Sequence, residues 1–209
     1  MGRHDWFRNT SWDVAIEAAF LQKLKRARDK SQYLRIQAST LASSHPDVAL
    51  RLLDQYFELG DDFAHAQAHM DRAVAYRALG QINRVIEALE AALAREKVFP
   101  NQQTRARVEL AMLIVIERKS ELYARASELM KEGAPFLIFP RDVYEWNGAH
   151  ALLLHELGQH RDAQQLARLA LEAAEKTKSG FRHHPNVGLV TNTEDEFGRR
   201  VRRISGGLH

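Results

Sequence analysis

The stretch Tyr76-Arg77-Ala78-Leu79-Gly80-Gln81 returns as Leu154-His155-Glu156-Leu157-Gly158-Gln159, with a helix rich in small residues before and after each copy. A glycine just past the last apolar turn is where a helix ends on a left-handed residue. The two glycines stand 78 positions apart (158 minus 80), which leaves room for two units of about 39 residues. A period of that length marks stacked helical hairpins, each too small to bury its apolar face alone. Such stacks usually bind a partner and carry out no chemistry.

Around these two turns the remaining elements fall into place by helical periodicity. Ser11 is placed to cap a helix from Trp12 to Arg28, whose last turns are crowded with Lys and Arg. A first hairpin follows over 31–59, turning at Ser43-Ser44-His45-Pro46 with Ser44 as the expected N-cap. The second covers 62–99, capped by Asp61 or Asp62 and turning at Gly80. The third, 102–132, has the weakest register; its first helix is apolar all round from Leu110 to Ile116, and Gly133 and Pro135 stop its second. The apolar stretch Phe136-Leu137-Ile138-Phe139 reads as a connector filling a hydrophobic gap. The fourth hairpin, 142–178, opens with Asp142 and Glu145 at capping-box spacing and turns at Gly158. After Gly180 no helical period is visible, and the chain ends in the basic run Arg199, Arg200, Arg202, Arg203 and then Gly206-Gly207.

The hairpins resemble tetratricopeptide repeats. In that family a small residue lies seven positions before the turn glycine and an aromatic four before it; further small residues lie five and twelve after. Ala73, Tyr76, Val85 and Ala92 take those places around Gly80, and Ala151, Leu154, Ala163 and Ala170 around Gly158. The first hairpin departs from the pattern, with Ser44 for the glycine, Gln37 for a small residue and Tyr56 in the last small site. The resemblance covers 31–178. It implies an all-α fold: a right-handed α-α superhelix of about four hairpins, with an N-terminal capping helix and an irregular C-terminal segment. The expected divisions are 1–30 (irregular start and capping helix), 31–179 (repeats) and 180–209 (irregular segment with basic tail).

Composition narrows the function. Of 209 residues 45% are hydrophobic, enough for a core without staples, and there is no cysteine, hence no disulfide, thiolate nucleophile or thiolate metal site. The net charge of +3 contains +4 from the four terminal arginines, so the rest sums to −1. A nearly neutral body argues against a dedicated nucleic-acid surface. The start lacks the apolar run of a signal peptide, and Leu110 to Ile116 is too short to span a bilayer, so a cytoplasmic setting without membrane association is expected. The Ala- and Arg-rich composition points to a bacterial source.

Candidate chemistry is sparse. His65 and His69 lie four apart on a helix, but no further ligand is near in sequence. His155 and His160 are five apart, about 140° round a helix, with Gly158 breaking the helix between them, which argues against a zincin arrangement. His183-His184 stand beside Arg182 and Pro185, read as part of a segment folded back on anchors Phe181, Val187, Leu189 and Val190. No nucleophile elbow, phosphate loop or dinucleotide fingerprint is present. No catalytic residue, cofactor or metal is therefore expected.

In the family, the first helix of each hairpin lines a concave groove. Carried over by position, that groove holds Arg35, Gln67, Met70, Asp71, Arg77, Glu145 and His155. Asp71 stands where some members place an Asn that clamps a terminal carboxylate, and it would repel one. A lining with both charge signs suits a protein or peptide segment. The expectation is a non-enzymatic binding scaffold. The alternatives are an immunity or inhibitor protein for one toxin, and an enzyme or RNA binder using the C-terminal His and Arg residues.

Overall fold

In the computed structural model, which describes residues 6–60, 63–133 and 137–206, Gly80 has φ +69° and Gly158 φ +77°. The hydrogen bonds around them match pair by pair. Gln81 N–H donates to the Tyr76 carbonyl at 2.9 Å and Gln159 N–H to the Leu154 carbonyl at 2.8 Å; Gly80 and Gly158 N–H reach Arg77 and His155 carbonyls, each at 3.0 Å. Both turns are Schellman motifs, which satisfy carbonyls that a helix end leaves open.

Ten α-helices and one 3-10 turn, and no strand, are present among the described residues. The fold class is all-α. The chain divides into two compact units, 1–106 and 107–209.

The first unit holds α1 (Val14–Arg26), α2 (Lys30–Leu41), α3 (Pro46–Glu58), α4 (His65–Ala78) and α5 (Ile82–Val98). Helices α2 and α3, and α4 and α5, pair as hairpins, with α3 and α2 also against α4. Asp13 rather than Ser11 caps α1, its carboxylate accepting Ile16 N–H at 2.8 Å. His45 rather than Ser44 precedes α3, with Pro46 as its first residue, where a missing N–H costs nothing. The core of this half is Phe20, Leu34, Leu41, Leu52, Leu53 and Tyr56. The segment before α1 is pinned to α2. Trp6 and Phe7 stack on Tyr33, with centroids 4.9 and 4.7 Å away. Fully buried Gln37 accepts Asn9 N–H at 3.0 Å and donates to Asn9 O at 2.8 Å. Gln37 thus fails the family pattern because it has a different task, reading the backbone of the N-terminal segment.

The second unit holds α6 (Ala106–Ile116, its first residue at the boundary), α7 (Tyr123–Lys131), α8 (Pro140–Glu156), α9 (His160–Ala174) and α10 (Glu196–Ser205). The end of α6 supplies the register that the sequence concealed. Arg118 has φ +50°, and Lys119 N–H donates to Ile114 O at 2.9 Å, the same bond that Gln81 and Gln159 make. Arg118 takes the place of the turn glycine, 38 positions after Gly80 and 40 before Gly158. A Schellman motif rests on main-chain bonds, so a non-glycine residue can close it at some conformational cost.

Two more expectations are corrected here. Helix α8 starts at Pro140, not at 142, and Asp142 is its third residue; its carboxylate accepts Phe139 N–H at 2.9 Å, so Glu145 has no capping role. The terminal arginines are not an irregular tail. They lie on amphipathic α10, capped by Asp195 and packed on α8 and α9 through Phe197, Val201 and Ile204. Gly148 admits this packing, since a Cβ there would lie 2.5 Å from the Phe197 ring. Ten residues hold under three turns, too short a period for the apolar stripe to stand out among four arginines. The expected roles of Asp61, Asp62, Pro135, Phe136 and Gly207 lie outside the described residues.

The small residues at these spacings are fully buried: Ala73, Val85, Ala92, Ala151, Ala163 and Ala170 are all 0% exposed. A Cβ at Gly80 meets nothing within 4 Å, so its cost is conformational alone. Gly80→Val and Gly158→Val are each expected to destabilise by about 1–2 kcal/mol through left-handed strain. Denaturant melts that leave either midpoint unmoved would refute this.

Candidate interaction surface

Alternate residues of α2 and α4 point to the same place. Arg35 Nη1 lies 3.4 Å from Asp71 Oδ2, and the side chains of Ser39 and Gln67 also hydrogen-bond that carboxylate. Arg35 and Ser39 are one turn apart on α2; Gln67 and Asp71 are one turn apart on α4. Asp71 is only 5% exposed, whereas Gln67 and Ser39 are exposed and Arg35 is half-buried. Burial raises the Asp71 pKa above the usual carboxylate range, and the bonds from Ser39, Arg35 and Gln67 oppose that rise. The result is a buried acceptor under a lid of surface donors.

The seven expected groove residues therefore separate. Arg35, Gln67 and Asp71 come together on the α2/α4 face. Met70 is a core residue, 6% exposed, and lines no surface. Arg77 is exposed in the last turn of α4, where its charge complements the helix dipole. Glu145 and His155 belong to the second unit. Glu145 is buried and holds Arg141 Nε at 2.7 Å, one turn back on α8. His155 is half-buried at the end of α8, with Nδ1 3.2 Å from His160 Nδ1. Asp71 and Glu145 are both buried, and each is paired with an arginine of its own unit.

The other candidates resolve as follows. His65 Nε2 lies 3.1 Å from Gly60 O, with its ring against Tyr56 and Phe57. The ring of His69 lies on Phe57, centroids 4.7 Å apart. His183 and His184 are exposed, in a turn closed by Ser179 N–H to Pro185 O at 2.7 Å and Ser179 Oγ to His184 O at 2.8 Å. Phe181 meets Phe139 at 5.3 Å but stays 45% exposed, and Val187 48%, so neither is the buried anchor expected. Arg200 donates to Val115 O at 2.9 Å and pairs with Glu156 at 3.2 Å, capping the end of α6; Arg202 bonds Thr193 and Glu194. The basic run is thus largely spent within its unit. Sequence reading missed this cap because its two ends are 85 residues apart.

Among the described residues no group of three or more metal-ligating side chains occurs, and no helix is long and apolar enough to cross a membrane. No family model, no curated protein and no solved structure matches this chain.

The His69 pKa is lowered from 6.5 to about 4, first by burial and then by the charges of Arg72, His65 and Arg95. The unfolded chain therefore binds a proton between these values that the folded chain refuses, so the His69 contribution to stability falls as pH drops from 6.5 towards 4. His150, its pKa lowered by burial, acts in the same direction. Urea midpoints measured across this window should decline towards acid, and His69→Gln should make the decline shallower. An identical slope in the variant would show that His69 does not contribute.

Proposed function

We propose that this chain is a non-enzymatic scaffold that binds a protein or peptide segment on the α2/α4 face, in the manner of the tetratricopeptide repeats it resembles. The observation that carries this reading is the Asp71 cluster. A buried carboxylate is costly, and an apolar pair of similar volume would often serve stability as well or better. The cluster instead keeps one buried acceptor and surrounds it with Arg35, Ser39 and Gln67, which reach solvent. Buried, perturbed groups beneath an open polar face are a recurrent mark of functional sites. Gln67 and Arg77, exposed on the same helix, offer a hydrogen-bonding amide and a cation to an extended segment of mixed charge.

An immunity or inhibitor protein would use the same surface against one dedicated target, and the two readings differ only in the partner. The RNA or catalytic reading gains no support from α10, whose Arg200 and Arg202 are engaged by Val115, Glu156, Thr193 and Glu194.

Because Asp71 is buried, Asp71→Arg is expected to unfold the first unit and is the wrong probe. Gln67→Ala and Arg77→Glu leave the core untouched. Each should weaken a partner captured by the wild-type chain by about tenfold or more, equivalent to about 1.4 kcal/mol. Arg84→Glu, exposed on α5, should leave affinity unchanged. Calorimetric or interferometric titration of the captured partner decides this. Wild-type affinity in both α4 variants would place the interface elsewhere.

A further inference from the structure

Several arginines of the first unit are answered by carboxylates: Arg35 by Asp71, Arg51 by Glu17, Arg72 by Asp54 and Arg84 by Glu87. The turn between α1 and α2 is different. Lys23, Lys25, Arg26, Arg28 and Lys30 place five cations within eight residues, against the single carboxylate of Asp29, a net +4 (five minus one). All five are exposed, and none of their side chains makes a hydrogen bond or ion pair with a described residue. Asp29 is turned to the cap of α2, accepting Ser31 Oγ–H at 3.0 Å and Gln32 N–H at 3.2 Å.

The helix dipole accounts for only part of this run. Lys23, Lys25 and Arg26 lie in the last turn of α1, where positive charge is favoured. Arg28 and Lys30 flank the cap of α2, at the positive end of that helix, where a cation is disfavoured; the first turn of α2 holds no acidic residue to offset them. Two charges set against the dipole, beside three more of the same sign, cost the fold stability. A local rule broken in this way is a mark of function. The same turn forms one wall of an open cleft of about 680 Å3, lined by Ala27, Arg28, Asp29, Lys30, Ser31 and Leu59, the last 53% exposed. We propose that the α1–α2 turn is a docking site for an acidic peptide segment, whose carboxylates meet Arg28, Lys30 and the end of α1 while an apolar side chain rests on Ala27 and Leu59.

Charge and shape select this occupant. No lining residue is aromatic, so the cleft offers no ring on which the bases of a single-stranded nucleic acid can stack. The exposed face of α1 carries Ala15, Ala18 and Ala19, too small to anchor a helix in a lipid surface. Carboxylates held by exposed cations are steered in by charge and released by salt. The site shares no residue with the Asp71 cluster and does not rest on the α2/α4 reading.

The test uses the untagged full chain and a fluorescein-labelled peptide of glutamates with a central leucine. The same peptide with glutamine for glutamate, a labelled oligouridylate, and vesicles of phosphatidylcholine with phosphatidylserine serve as rivals. Fluorescence anisotropy should show binding of the glutamate peptide that weakens as salt rises, and none of the glutamine peptide. The double change Arg28→Gln with Lys30→Gln should weaken binding by about tenfold or more, yet melt no lower than the wild type. Gln67→Ala, on the α2/α4 face, should bind the peptide as the wild type does. The proposal is overturned if the glutamate peptide is not bound, if the glutamine peptide binds equally, or if the oligouridylate or the vesicles are bound in preference. It is overturned too if the double variant binds unchanged, or if Gln67→Ala loses as much affinity. A lower melting temperature in the double variant would show that these cations serve the fold and would also overturn it.

Discussion

Where two helices of a hairpin pack through alanine, their axes can lie close together, and a larger side chain would force them apart. That constraint runs through both units. Ala73 on α4, Ala88 and Ala92 on α5, Ala149 and Ala151 on α8, and Ala163, Ala167 and Ala170 on α9 are all buried, while Ala75 on α4 joins the core that α1, α2 and α3 share. Helices this close need an abrupt connection, and a left-handed residue followed at once by a new helix supplies it. The glycine turns and the alanine crossings are two halves of one requirement. Alanine buries little area, so larger side chains such as Leu53, Leu89, Leu152 and Phe197 must supply the apolar stabilisation, at about 1.5–3 kcal/mol for each fully buried one.

Polar groups hold what alanine leaves loose. Gln37 reads the N–H and C=O of Asn9 and so fastens an aromatic segment over α2. Arg200 closes the end of α6 from a distant helix. Arg107 reaches Gly133 O at 3.1 Å and Glu132 at 3.2 Å, joining the start of α6 to the end of α7. These are tie points between elements distant in sequence. Asp71 differs in kind, because its donors include surface side chains whose removal would uncover no core. This distinction separates a structural buried charge from a candidate recognition site.

The hairpin fold was legible because its strongest marks are local: glycine after an apolar turn, small residues at fixed offsets, proline at a first turn. The third hairpin was not, since Arg118 satisfies main-chain geometry that no side-chain pattern announces. Helix α10 was missed for a related reason, its apolar stripe being three residues set among four arginines. Of the candidate surface, Arg35, Gln67 and Asp71 could be placed on facing helices, but not the depth of Asp71, which depends on how closely α2 and α4 approach. The contact between His155 and His160 was not legible in the sequence. Angular separation along one helix says nothing about two residues on different helices joined by a turn.

The cap that Arg200 places on α6 also orders events in time. A chain made from its N-terminus has the whole sequence of the first unit, residues 1–106, in hand while the second is still being translated. The second unit cannot close in the same progressive way. The carbonyls at Val115 and Ile116 wait for a guanidinium that emerges 84 or 85 residues later. The apolar faces of α8 and α9 wait for Phe197, Val201 and Ile204. During that interval the nascent second half displays bare helix surface that the finished protein hides, which makes it the half with most need of a chaperone's attention.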